Sequence, residues 1–190
     1  MKTCNGTKSR LLVVLAGLFL AGGYVQAQDD EQEQRDNAKT KEAQAVSKEV
    51  YDNIQKAQEA VDAKDYQGAL RILDNLRRKE LTEYELSNVL NYLGFVYYNM
   101  EQPAQAIQAY EDMLQIPTLE EQLRKQTIYT LAQLSTMEEN YQEALDYLDQ
   151  YLALEANPAP EPYILYAQNL YQIDRYADMV QPIETAMDIA

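Results

Sequence analysis

LSNVLNYLGFVYYNMEQPAQAIQAYEDMLQIPTL, residues 86–119, decides the fold. It reads as two helices. Leu90, Leu93, Gly94 and Tyr97 mark the apolar face of the first, and Ala106, Tyr110 and Met113 that of the second. Both sets fall at steps of three and four residues, which places each on one side of a helix. Gln102 and Pro103 separate the two, and proline suits a first helical turn because its missing N–H has no partner there anyway. Gly94 and Ala106 are small, which predicts two antiparallel helices that cross closely at these points. A larger residue at Ala106 would overpack the crossing, at about 1–3 kcal/mol.

The pattern returns along the chain. Ala144 and Leu148 repeat Ala106 and Tyr110, with Ile128, Leu131 and Ala132 before them. Ala69 and Leu73 precede, behind a weaker helix with Ala57 and Ala60; Met179 and Ile183 follow, behind Tyr163, Tyr166, Ala167 and Leu170. The anchors 69, 106, 144 and 179 are 37, 38 and 35 residues apart. Asp65-Tyr66, Asn140-Tyr141 and Arg175-Tyr176 open the second helix in the same register.

Leu90-x2-Leu-Gly-x2-Tyr, then Ala106-x3-Tyr, then Pro117 resembles the tetratricopeptide repeat, whose period is about 34 residues. That repeat has an aromatic where Leu90 stands, and its proline comes one residue later. The resemblance implies an all-α fold, a right-handed α-solenoid of about four helical hairpins, with loops absorbing the extra residues. The repeats are expected near 50–81, 82–117, 118–157 and 158–190, within a domain of residues 45–190. Packing between helices is assigned to Leu93, Gly94, Tyr97, Ala106, Tyr110, Leu131, Ala132, Ala144, Leu148 and Ala167.

The first 27 residues have a different character. A basic segment reaches Arg10, the apolar run LLVVLAGLFLAGG covers 11–23, and Val25-Gln26-Ala27 is a small-x-small cleavage signature. This predicts a secretory signal peptide, too short for a comfortable membrane span. The rest is then exported to the periplasm. Cys4 precedes the apolar run and cannot be a lipoprotein anchor at the cleavage point; as the sole cysteine it leaves the mature chain no disulfide. Residues 28–44 begin QDDEQEQRDNAKTKE, nearly without apolar side chains, and read as a flexible acidic tether. Order is expected from Val46, with Val50, Ile54, Ala57 and Val61 on one helical stripe.

Net charge is −15, and loss of Lys2, Lys8 and Arg10 with no acid among residues 1–27 takes it to −18. Such a chain repels phosphate, so nucleic acid is not an expected partner, and membrane contact is expected only through other proteins. Histidine is absent, which removes the commonest general base and metal ligand. Glu120-Glu121 and Glu138-Glu139 sit at helix ends, where acids favour the dipole or solvent. No catalytic residue, metal site or cofactor is assigned.

Helix starts are marked by capping boxes at Thr82-x-x-Glu85 and Thr118-x-x-Glu121, and more loosely at Asn140-x-x-Glu143. NPAPEP, 157–162, reads as a loop. Pro182 falls inside the last expected helix, which predicts a kink or a restart near Gln181. Val180, Met187 and Ile189 are expected to lie uncovered, so further repeats or a docking partner are expected beyond this end. Arg71, Arg77, Arg78 and Lys79 form the one dense basic group, expected to support a helix C-terminus.

In tetratricopeptide proteins the first helices line a concave groove that holds a peptide. Carried over by register, that groove shows Asn88, Asn91, Phe95, Tyr98 and Asn99 in the second repeat. The third shows Gln126, Tyr129, Gln133 and Met137; the fourth shows Ile164, Gln168, Tyr171 and Gln172; the first adds Tyr51 and Gln58. The surface is amide and aromatic with almost no charge. Asn and Gln can donate to and accept from a peptide backbone, and Tyr and Phe supply area at little entropy cost. The expected partner is a protein or peptide segment, neutral or mildly apolar, since no Lys or Arg is placed to clamp a carboxylate.

A narrower resemblance runs from Val50 to Ala190. YQGALRILDNL, TLEEQLRKQTIYTLAQL, NYQEALDYLDQYL and QPIETAM look like periplasmic tetratricopeptide proteins that accompany TonB-type energy-transduction systems. That resemblance implies contact with the inner-membrane components of such a system. The alternatives are an envelope or pilus assembly factor, or the N-terminal part of a longer repeat protein.

Overall fold

Ser47 opens the first of the described helices. Its hydroxyl accepts from the Val50 N–H at 3.4 Å and caps α1, Lys48–Asp62. The computed structural model describes residues 46–190; the expected signal peptide and tether lie outside them. Seven more helices follow: α2 (Tyr66–Arg77), α3 (Glu83–Asn99), α4 (Pro103–Leu114), α5 (Glu121–Met137), α6 (Tyr141–Leu154), α7 (Pro160–Gln172) and α8 (Val180–Ile189). A 3-10 turn, Tyr176–Met179, leads into the last. Each odd-numbered helix packs on the next to form a hairpin, and the hairpins stack in sequence order.

The four hairpin turns share one backbone solution. Lys64, Glu101, Glu139 and Asp174 have φ of 60°, 57°, 63° and 60°. They recur at the 37, 38 and 35 residue steps of the sequence anchors. After each, an N–H reaches back five residues: Asp65 to the Ala60 carbonyl, Gln102 to Tyr97, Asn140 to Ser135, Arg175 to Leu170, at 2.8–3.0 Å. These are Schellman closures, which satisfy carbonyls left free at a helix end.

Inside the hairpins the register also holds. Ala57, Gly94, Ala132 and Ala167 occupy one position, and Leu73, Tyr110, Leu148 and Ile183 another. A Cβ on Gly94 would lie 2.5 Å from Cζ of Tyr110. The glycine therefore makes room for the ring, a more specific reason than general closeness of two helices. Of the expected packing residues Tyr97 is half-buried, and Leu93, Gly94, Ala106, Tyr110, Leu131, Ala132, Ala144, Leu148 and Ala167 are buried.

Several local expectations are corrected. Thr82 and Glu85 do form a capping box. Thr118 does not cap α5; Glu120 does, through both carboxylate oxygens to the Gln122 and Leu123 N–H groups at 3.1 and 3.0 Å. Thr118 instead gives its N–H and its hydroxyl to Glu83 of the preceding hairpin. Asn140 stands at the start of α6 without a side-chain cap, and Glu143 accepts from the Ser135 hydroxyl at 3.2 Å. The expected loop 157–162 ends early, because Pro160 is the first residue of α7. Of the two outcomes expected at Pro182, the restart is the one found: a new helix begins at Val180, and Pro182 is its third residue, where an N–H needs no intrahelical partner. Met179 belongs to the 3-10 turn that makes this restart. In the basic group, Arg77 bonds Asp112 of α4 at 2.6 Å and Lys79 pairs with Glu49 of α1, so these two charges tie helices together.

Candidate functional site: the inner-helix groove

The first helices of the hairpins form one side of the molecule. α1 touches α3 and α5 touches α7, each less closely than hairpin partners meet, and α3 and α5 meet less still. Glu85 links the first pair. It is buried, and it accepts from the Ser47 N–H at 2.8 Å and the Thr82 N–H at 3.0 Å. Burial alone would raise its pKa, but the bonds from Ser47 and Thr82 outweigh it and hold the carboxyl at about 2. Asn169 links the second pair. Fully buried, its amide donates to the Thr136 hydroxyl at 2.9 Å and to the Leu165 carbonyl at 2.8 Å. Thr136 and Asn169 went unnoticed in the sequence, although a polar residue within the apolar stripe of Leu165 and Leu170 was the available signal.

None of the expected groove residues is buried. On α3, Asn91 is exposed, and Asn88, Phe95, Tyr98 and Asn99 are half-buried. Asn88 and Asn99 already use one N–H each on a carbonyl one turn back, Tyr84 at 2.7 Å and Phe95 at 2.8 Å. Among the described residues, their amide oxygens and the whole Asn91 amide make no such bond. On α5, Gln126, Tyr129 and Gln133 are half-buried and Met137 is exposed. The Tyr129 ring packs on Tyr151 of α6 with centroids 5.0 Å apart. Burial, then the nearby Glu161 and Tyr151, push the Tyr129 phenol above its usual range, against a bond from Gln133, so it stays a neutral donor.

On α7, Ile164, Gln168, Tyr171 and Gln172 are exposed. They do not simply extend the groove. With Met179, Ile183 and Met187 they line an apolar cleft of about 500 Å³ between α7 and α8. On α1, Tyr51 is exposed and its hydroxyl accepts from Gln55 at 2.9 Å; Gln58 is half-buried. The inner side is thus an array of half-exposed amides and phenols on rigid helices. It can exchange hydrogen bonds with a polypeptide backbone and cover apolar side chains, without charge selection.

Solved structures share this architecture. MamA of Desulfovibrio magneticus RS-1, residues 41 to the end, superposes with a TM-score of 0.61 at 16% identity, over 76% of this chain and 77% of its own. A second MamA structure gives 0.58 at 18% identity, over 70% and 73%. PilF of Pseudomonas aeruginosa gives 0.55 at 18% identity, over 82% of this chain and 64% of its own. MamA and PilF are tetratricopeptide-repeat proteins. The fold is a tetratricopeptide-type α-solenoid. No family model matches the sequence, and no curated protein matches it. At these identities the likeness carries the fold and leaves the partner to the residues of this chain.

Proposed function

We propose that this tetratricopeptide solenoid is a non-enzymatic scaffold that holds a segment of a partner protein along its inner helices. The observation that carries the reading is the run of uncharged, accessible side chains on α3 and α5: Asn88, Asn91, Phe95, Tyr98, Asn99, Gln126, Tyr129, Gln133 and Met137. Solenoids of this type commonly use such a concave side for extended binding. The segment held is neutral or mildly apolar, because the surface offers backbone-type hydrogen bonds and aromatic area rather than an ion pair. The signal-peptide pattern at residues 1–27 supports a periplasmic location. The resemblance to proteins that accompany TonB systems makes inner-membrane components of such a system the first partners to test.

Partner capture from periplasmic extract tests the reading, comparing the wild type with the Asn91→Ala, Tyr98→Ala double variant. Asn91 is exposed, but Tyr98 is half-buried against the core, so capture is compared at a temperature where circular dichroism shows both proteins folded. Retention of a partner by the wild type and its loss from the variant is the expected result. Equal capture by both removes the groove from the account.

A further inference from the structure

The groove on α3 and α5 is bounded by the ends of those two helices, and acids stand at both ends. Glu83 is the first residue of α3, and Glu120 and Glu121 open α5. Glu101 stands in the turn that closes α3, and Glu138 and Glu139 in the turn that closes α5. All six are exposed. Glu161, the second residue of α7, reaches the same side: after burial, its charge is the next cause that raises the Tyr129 phenol. No base on these helices is left to face a guest. α3 carries neither Lys nor Arg. On α5, the Arg124 guanidinium donates to the Leu114 and Ile116 carbonyls at 3.0 Å, and the Lys125 ammonium donates to Glu155 at 2.9 Å.

The hydrogen-bonding atoms left over favour the same kind of guest. Asn88 and Asn99 each give an N–H to a carbonyl one turn back, Tyr84 and Phe95, so oxygen is the atom that each amide keeps whole for another molecule. Acceptors flanked by carboxylates suit a guest that brings donors, and a charged donor makes the stronger bond. Residues 28–44 of this chain do not answer to that description, because they hold six acids against three bases. Charge complementarity therefore favours a basic segment from another protein.

We propose that the guest of the inner helices is a basic segment of a partner protein: an uncharged stretch seats on Asn91, Phe95, Tyr98 and Gln133, and Lys or Arg residues beside it meet the carboxylates at the helix ends. This rests on the groove reading above and adds the charge class of the guest. The neutral seat supplies area and backbone bonds, while the acidic rims steer and select.

The test selects random peptides displayed on phage against the immobilised full chain. The enriched peptides should carry Lys or Arg beside an uncharged stretch and be depleted of Asp and Glu relative to the starting library. The best of them is then synthesised with a fluorescein label and titrated by fluorescence anisotropy, each protein first shown to be folded by circular dichroism. Changing its Lys and Arg residues to Gln should raise Kd by about tenfold, the combined worth of a few exposed ion pairs. The triple variant Glu101→Gln, Glu121→Gln, Glu138→Gln should raise it by a similar factor. Asp146→Asn with Glu184→Gln and Asp188→Asn removes the same charge from exposed positions on α6 and α8 and should leave Kd unchanged. Asn91→Ala with Tyr98→Ala should weaken binding, as the groove reading requires. Peptides that are lost with that pair but ignore their own bases and the triple variant at the helix ends overturn this inference and leave the groove reading standing. Peptides that ignore the Asn91 and Tyr98 pair, or no enrichment at all, overturn both. Sedimentation that shows a dimer dissolved by the triple variant at the helix ends also overturns the inference, by giving the groove to a second copy.

Discussion

Gly94→Ala should destabilise the protein, although alanine is the better helix former. Its Cβ would stand 2.5, 2.6 and 2.8 Å from Cζ, Cε2 and Cε1 of Tyr110, where ordinary contact begins near 3.4 Å. The ring must therefore move by most of an ångström, and at 4% exposure it has little room. Overpacking of a tight core costs about 3 kcal/mol at the upper end. Removing a mid-helix glycine returns about 1 kcal/mol. The net is a loss of about 2 kcal/mol, read as a lower urea midpoint by far-UV circular dichroism. The other hairpins pair alanine with leucine or isoleucine at these two positions. Gly94→Ala placed in a Tyr110→Leu background should thus be neutral or stabilising, by up to about 1 kcal/mol. A Gly94→Ala single variant as stable as the wild type, or a penalty that persists without the Tyr110 ring, refutes this packing of α3 on α4.

Glu85 makes stability fall in acid. Its folded pKa of about 2 lies below the ordinary value of 4.5, so its contribution is full above about pH 4.5 and is lost as pH falls toward 2. A shift of that size is worth up to about 3 kcal/mol, so chemical melts between pH 5 and 2.5 should show a loss in the wild type that is much reduced in Glu85→Gln. Identical pH profiles would show that the Ser47 and Thr82 bonds do not hold in solution. Glu139→Gly should raise stability by about 0.5–1 kcal/mol, because φ of 63° suits glycine and strains glutamate; an unchanged or lower midpoint would count against the shared turn geometry.

The repeat was legible because apolar spacing and helix-start residues are local signals. Ala69, Ala106 and Ala144 are buried as their register requires, and Asp65 and Thr82 cap the helices that follow them. What the sequence hid was decided between hairpins. Thr118 reads as a cap by its distance to Glu121, yet Glu83, brought close by the stacking of hairpins, takes its donors. Pro182 looked disruptive while the helix start was unknown; a 3-10 turn moved that start to Val180. The groove register was readable residue by residue, but its division was not. Ile164 and Tyr171 share the repeat position of groove residues, yet the structure sets them with Ile183 and Met187 in a cleft between α7 and α8.

The most direct test of the central claim is site-specific photocrosslinking in cells expressing the full chain. A photoreactive residue at Asn91 or Gln133 samples the inner helices, and one at Gln108 or Gln142 samples exposed positions on α4 and α6. The account predicts crosslinks to a common partner from Asn91 and Gln133 and none to it from Gln108 or Gln142. Crosslinks to that partner from the outer positions alone, or equally from all four, would contradict it.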